Sequence, residues 1–224
     1  MSRDSAERLV LFDYWRSSAA YRVRIALNLK GLDYEQRAVN LVHGDGEHLS
    51  AQYRAINPQQ LVPTLLHRGR ALTQSLAICT YLDQLFPTPL LVPSDPVAGA
   101  RVRALALLIA CDIHPINNLR VQRYLKAELG AGETAVSDWM QHWMTVGFSA
   151  LEAMLAGSEE TGRFCQGDQP GLADCCLVPQ VYNAERFDCD LSGFPMIRAI
   201  AAHCREQPAF AAAAPECQPD AVPA

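Results

Sequence analysis

Two hydroxyl-bearing segments stand where a strand-like run gives way to a helical pattern. Trp15-Arg16-Ser17-Ser18 follows the apolar run LVLFDY (residues 9–14), and Gln74-Ser75 follows Ala71-Leu72-Thr73. A serine there is a preferred N-cap, because its oxygen accepts one of the backbone N–H groups a helix leaves unbonded. The same place suits a ligand anion. Unpaired N–H groups and the positive end of the helix dipole favour a bound thiolate beside Ser17 or Ser18, and a carboxylate at Gln74-Ser75. Residue types alone leave both readings open. Arg16 and Arg186 each offer a planar fork of donors that matches a carboxylate bidentately, or else are solvated surface arginines. His114 and Asn118, four residues apart, share one face if a helix runs through Pro115, whose kink makes that spacing approximate.

The elements that must position these groups fall into two sets. Residues 9–14 read as a strand, Ala19–Lys30 as a helix with Gly31 as its C-terminal cap, and Asp33–Asn40 as a second strand. Glu47–Arg54 reads as a short helix or turn, Val62–Leu66 with Ala71–Thr73 as a hairpin around Arg68 and Gly69, and Ser75–Leu85 as a closing helix. This is the pattern of a small α/β domain over residues 1–86, with helices covering a mixed sheet. Four prolines in the eleven residues of FPTPLLVPSDP forbid a continuous helix and mark a linker over 87–96. Beyond it the periodicity predicts helices over 97–113, 117–129, 133–155, 172–186 and 194–206, an all-α domain over 97–224. Its polar tail from Ala211 is expected to be poorly ordered.

Composition excludes several classes of function. Half of the 224 residues are apolar, enough for a sizeable core. The 24 acidic and 19 basic residues are interspersed, without the basic block that nucleic-acid binding requires. No apolar core of signal-peptide length occupies the first ten residues, and the longest apolar run, Ala104–Cys111, is too short to span a bilayer, so a cytoplasmic protein is expected. The eight cysteines include no Cys-x-x-Cys and no accompanying zinc-type His cluster. They are expected to be reduced, mostly buried thiols, and no metal is expected.

The order of motifs is more specific than any one of them. R-S-S-x-x-x-R-V-R-I-A-L-x-L-K-G begins at Arg16, N-P-x-x-x-V-P-T-L at Asn57 and Q-S-x-A-I at Gln74. Cys111–Arg120 and Leu172-Ala173-Asp174 with Leu177-Val178-Pro179-Gln180 follow. In this order they resemble the zeta class of glutathione transferases, including the bacterial maleylacetoacetate and maleylpyruvate isomerases, over essentially the whole chain. The resemblance implies a thioredoxin-like α/β N-terminal domain, an all-α C-terminal domain and a homodimer. In such a fold a cis proline at Pro63 turns the backbone of Val62 toward an extended peptide ligand.

The implied cofactor is glutathione and the implied substrate a small dicarboxylate. Ser17 is assigned to the glutathione sulfur with Ser18 beside it. His48, Val62, Gln74 and Ser75 are assigned to the tripeptide, and His114, Asn118 and Arg120 to the helical domain's side of the cofactor site. Arg16 and Arg186 are the candidates for substrate carboxylates. The implied reaction is cis–trans isomerisation of maleylacetoacetate to fumarylacetoacetate, in aromatic amino-acid catabolism. Glutathione thiolate would add to the conjugated alkene and leave again after rotation. The resemblance leaves open maleylpyruvate isomerisation, glutathione conjugation or dehalogenation of α-haloacids, and a non-catalytic protein-binding module. Two residues depart from the family pattern: Ala19 stands where a Cys is common, and Gly171 stands three residues before Asp174 in place of a Thr.

Overall fold

The computed structural model describes residues 8–222, so part of the amino-terminal stretch read for export lies outside the described residues. The chain divides into two compact units, residues 1–91 with 207–224, and residues 92–206. The division falls at Leu91, inside the proline-rich stretch.

The first unit is built on a four-stranded mixed sheet. β1 (Leu9–Asp13) pairs in parallel with β2 (Tyr34–Ala38) and antiparallel with β3 (Thr64–His67), which pairs antiparallel with β4 (Arg70–Thr73). The spatial order is β2-β1-β3-β4. Between them run α1 (Ser18–Leu29), a 3₁₀ turn (Glu47–Leu49) and α2 (Ala51–Ile56), and α3 (Ser75–Leu85) follows β4. Alternation along the strands separates two cores. Phe12 joins Tyr14, Trp15, Val39, Tyr53 and Val62 on one side, with Val10 and Leu66 packed against them. Leu11 and Leu65, paired across β1 and β3, face the other way and are fully buried, as are Ile25 and Leu27 of α1 and Ile78 and Leu82 of α3.

α1 ends as expected: Gly31 takes φ +61°, the left-handed conformation a helix needs just past its last turn. Lys30 beside it is buried, and its three donors are taken by Asp83 Oδ1 at 2.8 Å and the carbonyls of Phe86 and Pro89, each at 2.7 Å. That ammonium fastens the start of the linker to the first unit.

The carboxyl-terminal tail departs from the sequence expectation, both in belonging to the first unit and in being packed. α9 (Pro208–Ala213) lies on α1, and a 3₁₀ turn (Pro215–Cys217) follows. Phe210 and Ala213 are fully buried, so a small-residue stretch that looks like a solvated end has an apolar anchor. The backbone is held as well. Asn28 Nδ2 donates to Ala209 O at 2.9 Å, Arg24 Nε to Ala213 O at 3.0 Å, and Gln218 Nε2 to Ala214 O at 2.7 Å.

The second unit is helical: α4 (Pro96–Leu107) continues into a π-helical turn (Leu108–Ile113), followed by α5 (Leu119–Ala127), α6 (Glu133–Ala156), α7 (Leu172–Arg186) and α8 (Pro195–Arg205). α7 is its centre, buried continuously from Leu172 to Val181. Gly171 is the N-cap of α7 and supplies no side chain. Asp174, in the first turn of that helix, ties this end to the preceding chain by accepting the N–H of Gly171 and of Cys165, each at 2.8 Å. Burial pushes the Asp174 carboxyl above its ordinary range, against the pull of those bonds. Six of the eight cysteines are buried and all are free thiols; only Cys111 and Cys217 are exposed. Among the described residues no helix is long and apolar enough to cross a membrane.

Arg24 and Asp13 form an ion pair of which neither side chain is exposed. Asp13→Ala leaves the Arg24 charge buried without its counter-ion. Unfolding by denaturant should show a loss of about 3–5 kcal/mol; a loss below 1 kcal/mol would show that the pair does not hold the first unit together.

Candidate active site

In the first unit the candidate groups gather at the starts of α1 and α3 and in the loop before β3. Ser17 is the N-cap of α1: its Oγ accepts the N–H of Ala20 at 3.2 Å, and its backbone N–H donates to Tyr14 O at 2.8 Å. Accepting that bond leaves the hydroxyl hydrogen to be donated elsewhere. The first turn of α1 carries no acidic residue of its own, so its positive end is not neutralised from within the helix. Ser18 is buried, and Ala19 is part-buried, so residue 19 brings no thiol to this helix start. Arg16 is part-buried, with its guanidinium carbon 4.7 Å from the Trp15 ring centre. That stacking fixes the planar fork in orientation.

The loop before β3 is shaped by the N-P-x-x-x-V-P-T motif. Asn57 Nδ2 donates to Leu61 O at 2.8 Å and Thr64 Oγ1 at 3.1 Å. The Tyr53 hydroxyl donates to Leu61 O at 2.7 Å and lies 3.0 Å from Thr64 Oγ1, and burial raises its phenol pKa. These four bonds bracket Val62 and Pro63, whose peptide bond is cis as expected. The pairing of β3 with β1 begins at Thr64, so Val62 lies outside the ladder and its backbone is suited to an extended ligand.

Gln74 takes φ +68°, unusual for a side-chain-bearing residue, and its Nε2 donates to Gln59 Oε1 at 2.9 Å. This conformation turns the chain directly into α3, whose first residue is the buried Ser75. His48 is also buried, in the 3₁₀ turn. Its ring lies where a side chain on Gly46 would project, and Gly46 has φ +94°, so glycine serves there both for conformation and for room. A thiol-bearing tripeptide fits this set: a hydroxyl at one helix start, a hydroxyl at another, and an unladdered backbone between them.

In the second unit the sequence expectation needs one correction. His114 and Asn118 do not share a helical face. The π turn ends at His114, whose N–H donates to Ile109 O at 2.9 Å, and a turn over residues 115–117 separates it from α5. Pro115 cannot donate to the preceding turn, so the helix stops. Asn118 is the N-cap of α5, its Oδ1 accepting from Arg120 N at 3.2 Å, which gives it a local structural task. His114 is part-buried and Arg120 exposed. Arg186, in the last turn of α7, is exposed, with its guanidinium carbon 4.7 Å from the Phe187 ring centre.

Of three residues that sequence reasoning left without a task, Arg24 and Asp220 hold the Ser17 loop through Trp15, and Gln218 ties the tail to β2. Arg24 Nη2 donates to Trp15 O at 3.0 Å, the Trp15 N–H donates to Asp220 Oδ2 at 3.1 Å, and Gln218 Oε1 accepts from Gln36 at 3.2 Å. Arginine amid the apolar run from Ala20 to Leu27 was the available signal for Arg24. Nothing local marks Gln218 or Asp220.

A thioredoxin-like unit with serine-led helices and a separate all-α unit define a glutathione transferase. Residues 11–90 match the glutathione S-transferase N-terminal domain family. The chain is 53% identical over 213 residues, 95% of its length and 98% of the relative's, to a Vibrio cholerae protein named as a probable maleylacetoacetate isomerase. It is 51% identical over 212 residues, 95% and 99%, to a maleylpyruvate isomerase of a Ralstonia species. Among solved structures, a bacterial zeta-class maleylpyruvate isomerase in its holo form superposes with a TM-score of 0.92 at 50% identity, covering 95% of this chain and all of that one. A maleylacetoacetate isomerase of Methylobacterium extorquens with bound malonate and glutathione gives 0.92 at 39% identity, covering 96% and 100%. The chain belongs to the zeta class of glutathione transferases.

The π turn that ends at His114 is held against α6 through Gly147. A side chain at Gly147 would run into that of Ile113. Gly147→Ala should therefore cost about 1–3 kcal/mol in a denaturant melt, whereas an unchanged melt would mean that this segment yields freely.

Proposed function

We propose that the protein is a glutathione-dependent cis–trans isomerase that converts maleylacetoacetate to fumarylacetoacetate. Ser17 carries this reading, as the hydroxyl N-cap of an acid-free helix start in a chain related over nearly its whole length to isomerases of this name. Bound glutathione supplies a thiolate able to add reversibly to a conjugated double bond. Ser17 donates its hydroxyl hydrogen to that sulfur, and the N-terminus of α1 favours its ionised form. Val62 offers its backbone to the tripeptide, Gln74 and Ser75 receive the γ-glutamyl end at the start of α3, and Ser18 and His48 complete the first unit's share. Arg16 holds a substrate carboxylate, and Ser17 with neighbouring N–H groups stabilises charge that develops on the substrate oxygen. From the second unit, His114, Asn118 and Arg120 are assigned to the cofactor side and Arg186 to a substrate carboxylate. The working form is a cytoplasmic homodimer.

Acidic ligands in relatives support the arginine assignments: malonate in the Methylobacterium protein, and dicarboxyethyl glutathione with citrate in an Anaeromyxobacter dehalogenans maleylacetoacetate isomerase. A second substrate, maleylpyruvate, is favoured by the Ralstonia relative, whose identity of 51% is close to the 53% of the Vibrio protein. The two substrates share the reacting enone. Parallel assays with glutathione separate them by kcat/KM, and activity on neither would refute the isomerase reading.

Ser17→Ala should lower the isomerisation rate more than tenfold, while the lost cap costs only about 1 kcal/mol of stability. Kinetics with a parallel melt decide this, and an unchanged kcat would remove Ser17 from the chemistry. Arg186→Ala should lower kcat/KM by about ten- to a hundredfold, the worth of one charge-assisted hydrogen bond, and leave glutathione affinity by calorimetry nearly constant. Lost glutathione binding with intact turnover at saturation would place Arg186 at the cofactor instead.

A further inference from the structure

Arg22 and Arg24 lie two residues apart on α1 amid Ala20, Tyr21, Val23, Ile25 and Ala26, and both are buried, 2% and 0% exposed. Their surroundings differ. Every nitrogen of Arg24 has an acceptor: Nη1 both oxygens of Asp13 at 2.8 Å, Nε the Ala213 carbonyl at 3.0 Å, Nη2 the Trp15 carbonyl at 3.0 Å. Arg22 has one hydrogen bond, from Nη1 to Ser75 Oγ at 3.3 Å. Its Nε and Nη2 are buried with no hydrogen-bond partner among the described residues. A buried guanidinium without a counter-anion is strongly unfavourable, and proteins do not retain one without compensation.

The place where Arg22 makes its bond indicates the missing anion. Ser75 is the first residue of α3, an eleven-residue helix whose first turn carries no acidic side chain. Its hydroxyl accepts from Arg22, so the hydroxyl hydrogen is directed away from the guanidinium and is available for donation. Helix N-terminus, serine hydroxyl and buried cation then act on the same spot, and within the protein interior the cation's field is weakly screened.

We propose that Arg22 is the positioning residue for the γ-glutamyl α-carboxylate of bound glutathione, acting through the Ser75 hydroxyl and by its own buried charge. The assignment rests on the glutathione-dependent reading above and extends it to a residue in the second row. It also implies that the ligand-free fold carries an uncompensated charge that cofactor binding relieves. Arg22 is thus the opposite of Arg24, whose compensation is internal and permanent.

The test is calorimetry with two ligands: glutathione, and 4-aminobutanoyl-Cys-Gly, the same tripeptide without that carboxylate. Wild-type protein should bind glutathione at least about tenfold more tightly than the analogue. Arg22→Met, which keeps the stem and removes the charge, should weaken glutathione binding by about the same factor and leave the analogue within about twofold. Arg22→Lys should recover part of the loss. In a melt without ligand, Arg22→Met should be as stable as wild type or more so, whereas Arg24→Met should be destabilised. Equal weakening toward both ligands, unchanged glutathione affinity, or failure of Arg22→Met to fold would each overturn the proposal. Wild-type protein that binds glutathione and the analogue alike would overturn it too while leaving the functional reading standing; wild-type protein that binds neither would overturn that reading itself.

Discussion

The buried pair of Arg24 and Asp13 is the constraint on which the first unit depends. Taking two charges out of water is unfavourable unless the remaining donors and acceptors are satisfied, and here the satisfaction recruits separate parts of the chain. Asp13 ends β1 and also accepts from Gln36 of β2 at 2.6 Å. Arg24 reaches the carbonyl of Trp15, one residue before Arg16, and that of Ala213 in the returning tail. Strand, helix, the loop that carries Ser17 and the carboxyl terminus are therefore coupled through one guanidinium. The position of Ser17 follows from that coupling together with its own capping bond.

This arrangement explains why a chain with a helical second unit ends on its first. Residues 207–222 cover α1 with Phe210 and then place Asp220 beneath the Trp15 amide. Without these bonds the two serines and the stacked Arg16 would sample many orientations. The linker shows the same economy of means, with Lys30 spending all three donors on Asp83 and two linker-side carbonyls. The start of α3 is organised differently. There Gln74 accepts an unfavourable backbone conformation and Arg22 an incomplete set of partners, the kind of local imbalance that ligand binding resolves.

Much of the fold was legible because its signals are local. Gly31 ends α1 by φ, four prolines separate the two units, and Ser75–Leu85 and Leu172–Arg186 form helices over the expected residues. A serine cap at the start of α1 was legible for the same reason, whereas the cis bond at Pro63 was expected only from the thioredoxin-like fold that the order of motifs implied. What escaped is non-local. The tail reads as a polar and alanine-rich end because its anchors are single residues whose partners lie about two hundred positions away. The break between His114 and Asn118 escaped because four-residue spacing suggests one face, while Pro115 and the π turn replace a continuous helix with two ends. Arg22 was visible in the motif but not interpretable, since an arginine's surroundings decide whether it is a surface charge, a satisfied ion pair or an unbalanced cation.

The isomerase reading requires glutathione to be returned unchanged after each turnover, which distinguishes it from a transferase on the same fold. Proton NMR of maleylacetoacetate with enzyme and glutathione at a small fraction of the substrate concentration tests this directly. The expected result is conversion of essentially all substrate to fumarylacetoacetate, with the glutathione resonances unaltered at the end and no conversion when glutathione is omitted. Product that stops at one equivalent of glutathione and accumulates as a stable thioether, or conversion that proceeds equally well without glutathione, would contradict it.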